Sequence, residues 1–154
     1  MFLVSHSLNV RANEVRGWLR TQPSVALLVA AAYFEWTVCR GILALSRRPN
    51  ADVRADLARV YGLEKYKSFW QGELKHLGGA TRLTEIVTDW HGITEAFDAR
   101  NRLIHGRDRH TRKMAAPHVE VLLTAVSEIH EYCGLHGVNI NRRMPVRRRR
   151  HEPS

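Results

Sequence analysis

Apolar positions along this chain recur at helical spacing, and no stretch shows the alternation of a strand. Leu8, Val15, Trp18 and Leu19 mark one face of an opening helix over about Leu8–Arg20, closed by Thr21-Gln22-Pro23. Ser24 is placed to cap a second helix that runs to about Ser46. That helix is apolar nearly all the way round, which predicts a central, buried position, and Arg47-Arg48-Pro49-Asn50 ends it. Two shorter amphipathic pieces follow, about Ala51–Val60 and Glu64–His76, with Gly62 between them. Gly78-Gly79 precedes a third long helix, about Thr81–His105, and a charged, structureless run follows it. The last helix covers Ala115–Leu135, with Val119, Leu122, Leu123, Val126, Ile129 and Cys133 facing inward. The expectation is an all-α bundle of four to five helices over residues 1–138, then a basic, flexible tail over 139–154.

One helix breaks its own pattern. Leu83, Ile86, Val87, Trp90, Ile93 and Phe97 write a buried face, and the same stripe runs on into Arg100, Asn101 and Ile104. A buried guanidinium and amide cost free energy unless something satisfies them. Glu35 interrupts the stripe Leu28, Ala32, Cys39, Ile42 of the second helix in the same way. Arg40, five residues on, points elsewhere, so Arg100 is the natural mate of Glu35 if the two helices pack antiparallel. The bland alternatives are a rim carboxylate and a helix end whose cations suit its dipole. They account for Arg102 and His105 but not for Arg100 and Asn101 on the buried stripe, while Gly106 supplies the helix stop.

Charge adds a partner class. The chain carries 24 Lys+Arg against 15 Asp+Glu, a net +9. Six of the arginines, Arg142, Arg143 and Arg147 to Arg150, crowd the end against Glu152 alone, and 18 basic residues face 14 acidic ones before them. This balance favours a polyanion, nucleic acid before membrane, with a merely solvated tail as the plain alternative. Ser24–Leu45 raises a transmembrane question, but Glu35 and Arg40 inside it are costly at mid-bilayer, which favours a core helix. Cys39 and Cys133 read as buried free thiols, and the N-terminus lacks the ordered regions of a signal peptide, so the expected compartment is the cytoplasm. His110, His118, His130 and His136 make no metal spacing, and Trp18, Trp36, Trp70 and Trp90 fall at core positions. No metal and no cofactor is expected.

The stretch Arg100-Asn101-Arg102-Leu103-Ile104-His105-Gly106 resembles the signature of HEPN domains, an all-helical family rich in ribonucleases of toxin–antitoxin, phage-defence and RNA-processing systems. That signature is an arginine, a polar residue, and a histidine after four to six intervening residues. Arg112 to His118 fits the relaxed spacing too, but Pro117 lies within it and no interrupted stripe leads to it. Phe34-Glu35 is similar to a polar position that some members carry on the preceding long helix. The helix order fits from about residue 24 to 136, and the opening segment, the insertion Ala51–His76 and the arginine tail fall outside the resemblance.

The resemblance implies a metal-independent endoribonuclease, a toxin or antiphage-defence effector, with Arg100, His105 and Asn101 catalytic and Glu35 in support. It implies attack by the 2′-hydroxyl, leaving 2′,3′-cyclic phosphate and 5′-hydroxyl ends. An imidazole, which titrates near neutrality, suits His105 to proton transfer, and a guanidinium fork suits Arg100 to the phosphorane-like transition state. Arg102, Arg107, Arg109, Arg112 and Lys113 are the expected RNA contacts. On one helix Arg100 and His105 stand about 140° and about 7.5 Å apart, which converges poorly and favours a cleft shared across a homodimer. An antitoxin or other regulatory protein is a further expected partner. The rival is a non-catalytic HEPN-like module that binds RNA or protein.

Overall fold

α2 (Pro23–Leu45) is the axis of the fold and packs most extensively on α7 (Arg112–Leu135). α1 (Leu8–Thr21) and α6 (Trp90–Ile104) lie against both. α3 (Asn50–Leu57) and α4 (Leu63–Leu74), the latter followed by a 3-10 turn over Lys75–Leu77, cover the second half of α2, and the single turn α5 (Leu83–Ile86) bridges α4 and α7. The computed structural model describes residues 7–78, 82–107, 109–144 and 146–148. No strand occurs among them.

The apolar girth of α2 is what centres it. Ala26, Ala30, Ala31, Phe34, Val38 and Ile42 are all fully buried, and small residues on the helix let its neighbours close in. Gly41 lies against the indole of Trp70, where an added Cβ would stand 2.9 Å from the ring. Thr37 settles its buried hydroxyl on the Tyr33 carbonyl at 2.8 Å. α2 is long and apolar enough to cross a membrane, but 56% of that apolar window is buried inside the fold. Its start differs from expectation: Gln22 is the N-cap and Pro23 the first helical residue, a position that suits a fixed φ and a missing N–H, so Ser24 is already inside.

Seven helices stand among the described residues, where four to five were expected. One of the additional helices comes from the expected helix from residue 81 to 105, of which Thr81 lies outside the described residues. Val87 is extended, and the Asp89 carboxylate starts a new helix by accepting from the Gly92 N–H at 2.8 Å. A Cβ on Gly92 would crowd both that carboxylate and, at 2.9 Å, the Val121 side chain. α6 buries Ile93, Ala96, Phe97 and Ala99, so Asn101 turns to solvent and Ile104 is 54% exposed. α7 also begins earlier than expected, because the Thr111 hydroxyl caps the Met114 N–H at 3.4 Å. Arg112 and Lys113 therefore belong to a helix, not to a structureless run.

The expected tail is docked over its described part. Ile140 is fully buried, and Arg40 donates to the carbonyls of Ile140 and Arg142, both at 2.7 Å. Arg11, 1% exposed, lies over Trp36 at 4.8 Å and reaches Asn141 Oδ1 at 3.2 Å. Further on, Arg147 closes the C-terminal end of α2, donating to the carbonyls of Leu43, Ala44 and Arg48. Asn50 clasps its backbone on both sides, at 2.7 Å through the side chain and 3.1 Å through the N–H. Residues 149–154, with Arg149 and Arg150, lie outside the described residues.

Candidate functional site

The end of α6 is fixed by backbone chemistry. Gly106, at φ +65°, donates to the Leu103 carbonyl at 3.0 Å, and the Arg107 N–H reaches the Arg102 carbonyl at 2.9 Å. This is a Schellman closure, and only glycine takes its left-handed position without strain. It seats His105 at the C-cap, exposed, with its own N–H on the Asn101 carbonyl at 3.1 Å.

Five residues back, Arg100 is half-buried over the Phe97 ring, 6.0 Å from its centroid. Its Nη1 donates to Asn101 Oδ1 at 3.1 Å, and its Nη2 stands 4.0 Å from Glu35 Oε2. The expected pairing of Glu35 with Arg100 is therefore present, as an ion pair longer than a hydrogen bond. Burial pushes the Glu35 carboxyl above its ordinary range, and the Arg100 charge pulls the other way without offsetting it. Tyr66 and the Cys39 thiol share a hydrogen bond beside this pair, and burial holds the proton on both.

These groups open into a cavity of about 470 Å³ between α2, the start of α4, and α6. Glu35, Tyr66, Phe97, Asp98, Arg100 and Asn101 are among its walls, with Tyr61 and Glu64 at the α4 side. His105 does not line it. The structure thus brings together Arg100, Asn101 and Glu35 and sets His105 apart, outward, one turn on. Asn101 is not on the buried stripe as expected, but it is the acceptor that orients Arg100.

The expected RNA contacts surround the turn between α6 and α7. Arg102, Arg107, Arg109, Arg112 and Lys113 are all exposed. Arg112 and Lys113 occupy the first turn of α7, which contains no acidic residue. Cations at a helix N-terminus oppose the dipole by about 0.3–1 kcal/mol each, a cost that a bound anion would remove. His118, half-buried, faces the buried His110 ring edge-on at 6.3 Å, so the second arginine–histidine match ends in a packed pair of imidazoles. Burial, then His110, lowers the His118 pKa. No group of three or more His, Cys, Asp or Glu side chains able to hold a metal ion occurs among the described residues.

Tyr61, Glu64, Tyr66 and Asp98 were not read as site residues from the sequence. Tyr61 and Glu64 flank Gly62, whose φ of +82° turns the chain into α4. The available signal was an aromatic residue left outside both neighbouring stripes, and Tyr61 is 71% exposed. Compared with known proteins, the chain matches no family model, no curated protein and no solved structure.

Proposed function

We propose that this chain is a metal-independent, HEPN-type endoribonuclease that works as a homodimer. Arg100 carries the reading. It is a half-buried guanidinium oriented by Asn101, held at ion-pair distance by Glu35, and left with donors unused at the mouth of a cavity. A cation arranged this way is preorganised for an anion that arrives from outside.

RNA supplies its own nucleophile, so the protein needs only to move protons and hold charge. The 2′-hydroxyl loses its proton to one His105 as its oxygen bonds to phosphorus. The bond from phosphorus to the 5′-oxygen breaks, and that oxygen takes a proton from the His105 of the second copy. The products are a 2′,3′-cyclic phosphate and a 5′-hydroxyl, and Arg100 meets the charge on the equatorial oxygens. The exposed position of His105 suits a cleft between copies, since it leaves the ring free to face a partner. Ile104 and Met114, 54% and 48% exposed, flank the same turn and offer apolar surface for an isologous contact. The exposed cations around the turn from α6 to α7 would carry the flanking phosphates. A toxin or phage-defence role, in the cytoplasm and under a restraining protein partner, fits an RNA-cleaving domain of this size.

One observation favours a second reading. The cavity takes in Arg100 and Asn101 but not His105, as a non-catalytic module that binds RNA or protein through Arg100 alone would have it. Incubating the pure protein with total RNA in EDTA, and mapping the ends, separates the two. Cyclic phosphate ends that depend on His105 support the enzyme; bound but intact RNA supports the module.

A further inference from the structure

We infer that the cavity between α2, α4 and α6 is a nucleobase subsite, built for the donor edge of guanine. The inference rests on the reading of the chain as an RNA-binding and RNA-cleaving protein, and it names what that site selects.

The first argument is electrostatic sorting. Glu35, Glu64 and Asp98 line the cavity against Arg100 as its one cation. Glu64 is partly offset by Lys67 at 2.7 Å, on the outer side. A phosphate is therefore repelled from the interior and held at the rim, where Arg100 and the basic turn lie. What enters is the part of a nucleotide that carries no charge and offers N–H groups.

The second argument is the acceptor in the cavity wall. The Glu35 carboxylate pairs with Arg100 at 4.0 Å, and neither oxygen accepts a hydrogen bond from it. Such a carboxylate holds two parallel acceptors in one plane, the fork that guanidinium groups match. Guanine matches it as well, because its ring N1–H and exocyclic N2–H₂ stand side by side on the Watson–Crick edge. Adenine and cytosine offer one amino group beside a ring acceptor, and uracil offers one N–H between two carbonyls. Each of these sets a lone pair against the carboxylate.

The third argument is shape. A volume of about 470 Å³ lies within the roughly 300–1,000 Å³ usual for small-molecule sites. Phe97 and Tyr66 supply buried ring surface, and Tyr61 stands exposed at the lip, its hydroxyl fixed on the Ala58 carbonyl at 2.8 Å. A flat aromatic anchored at a rim is a stacking platform for an unpaired base.

The test is direct binding of the four ribonucleoside 3′-monophosphates to the full chain by calorimetry, without turnover. Guanosine 3′-monophosphate should bind at least tenfold more tightly than the other three. Glu35→Gln replaces one acceptor by a donor and should bring the four within about threefold of each other. Tyr61→Ala, at an exposed position that the fold does not need, should weaken all four by roughly fivefold or more while keeping guanosine first. Equal affinities in the unmodified chain would overturn the subsite. So would a preference that survives Glu35→Gln. Tighter, Glu35-dependent binding of methylguanidinium than of any nucleotide would also overturn it, assigning the cavity to an arginine of a protein partner. The outcomes separate from those of the proposed function. Metal-independent cleavage without guanosine preference removes the subsite and keeps the nuclease; Glu35-dependent guanosine binding without cleavage does the reverse.

Discussion

Of the guanidiniums that lie against α2, one near its middle and one at its end are treated in opposite ways. Arg147 arrives from the far end of the chain and spends its donors on the carbonyls of Leu43, Ala44 and Arg48. Those carbonyls lie at or just past the end of α2, where backbone acceptors lack partners. Arg100 meets one amide oxygen at 3.1 Å and one carboxylate at 4.0 Å, and its side chain remains 29% exposed. The first cation donates from all three of its nitrogens to backbone carbonyls of the fold. The second is oriented but unspent. Burial and charge are similar at the two places, so the count of satisfied donors separates a structural arginine from one kept for an incoming anion.

The sharpest break of this comparison is made at the motif. His105→Ala should reduce cleavage by roughly 10²–10⁴-fold, the usual weight of a general acid–base, and leave the melting temperature unchanged. Arg100→Ala should abolish cleavage as well and weaken RNA binding more than His105→Ala does, again with little effect on melting. Arg147→Ala should do the opposite. It uncaps α2 at a cost of about 1–3 kcal/mol, read as a drop of several degrees in thermal melting, while the folded fraction cleaves at the normal rate. A cleavage loss with Arg147→Ala at a temperature where the variant is folded would collapse the distinction.

A smaller effect sharpens it through pH. Burial raises the folded-state pKa of Glu35 above its ordinary value of 4.5, so ionising it costs folding free energy as pH rises through and above that range. Glu35→Gln removes that cost. The variant should melt at or slightly above the unmodified chain at pH 7, and the difference should vanish below about pH 4.5, where the carboxyl is protonated in both states. A marked loss of stability at pH 7 would mean that the pair with Arg100 holds the fold together, as Arg147 does. The smallest effect belongs to the last residues. Ending the chain after Arg148 removes Arg149 and Arg150, which should lower the slope of log affinity against log salt by at most about two and leave melting unchanged.

How far these features were legible in the sequence follows from the range over which each is determined. The bundle, the centrality of α2 and the stop at Gly106 are local matters of apolar spacing and turn chemistry, and they read directly. The pairing of Glu35 with Arg100 was legible because both residues break apolar stripes and the cation nearest Glu35 on its own helix, Arg40, points elsewhere. Two features of residues 81–105 do not follow from the large apolar positions: the break before α6 and the exposure of Asn101. Asp89 and Gly92 had marked the restart, but a capping aspartate inside an apolar stretch is a quiet signal beside six matching hydrophobic positions. Ala96 and Ala99 then define the true buried face, and alanine is easily passed over in such counts. The docking of Arg147 was not legible at all. Its partners are backbone carbonyls about a hundred residues away, and a carbonyl has no letter in a sequence.

That docking has a consequence for how the protein is made and kept. Arg147 closes an element formed near the start of the chain, so α2 gains its cap only after about a hundred further residues have been made. Until then the central helix ends in open carbonyls, and a protease that trims the basic end as far back as Val146 returns the folded chain to the same condition. Trimming that stops at Arg148 does not. Between those two cuts lies a sequence of two residues, and on it turns whether a clipped molecule lingers or is cleared.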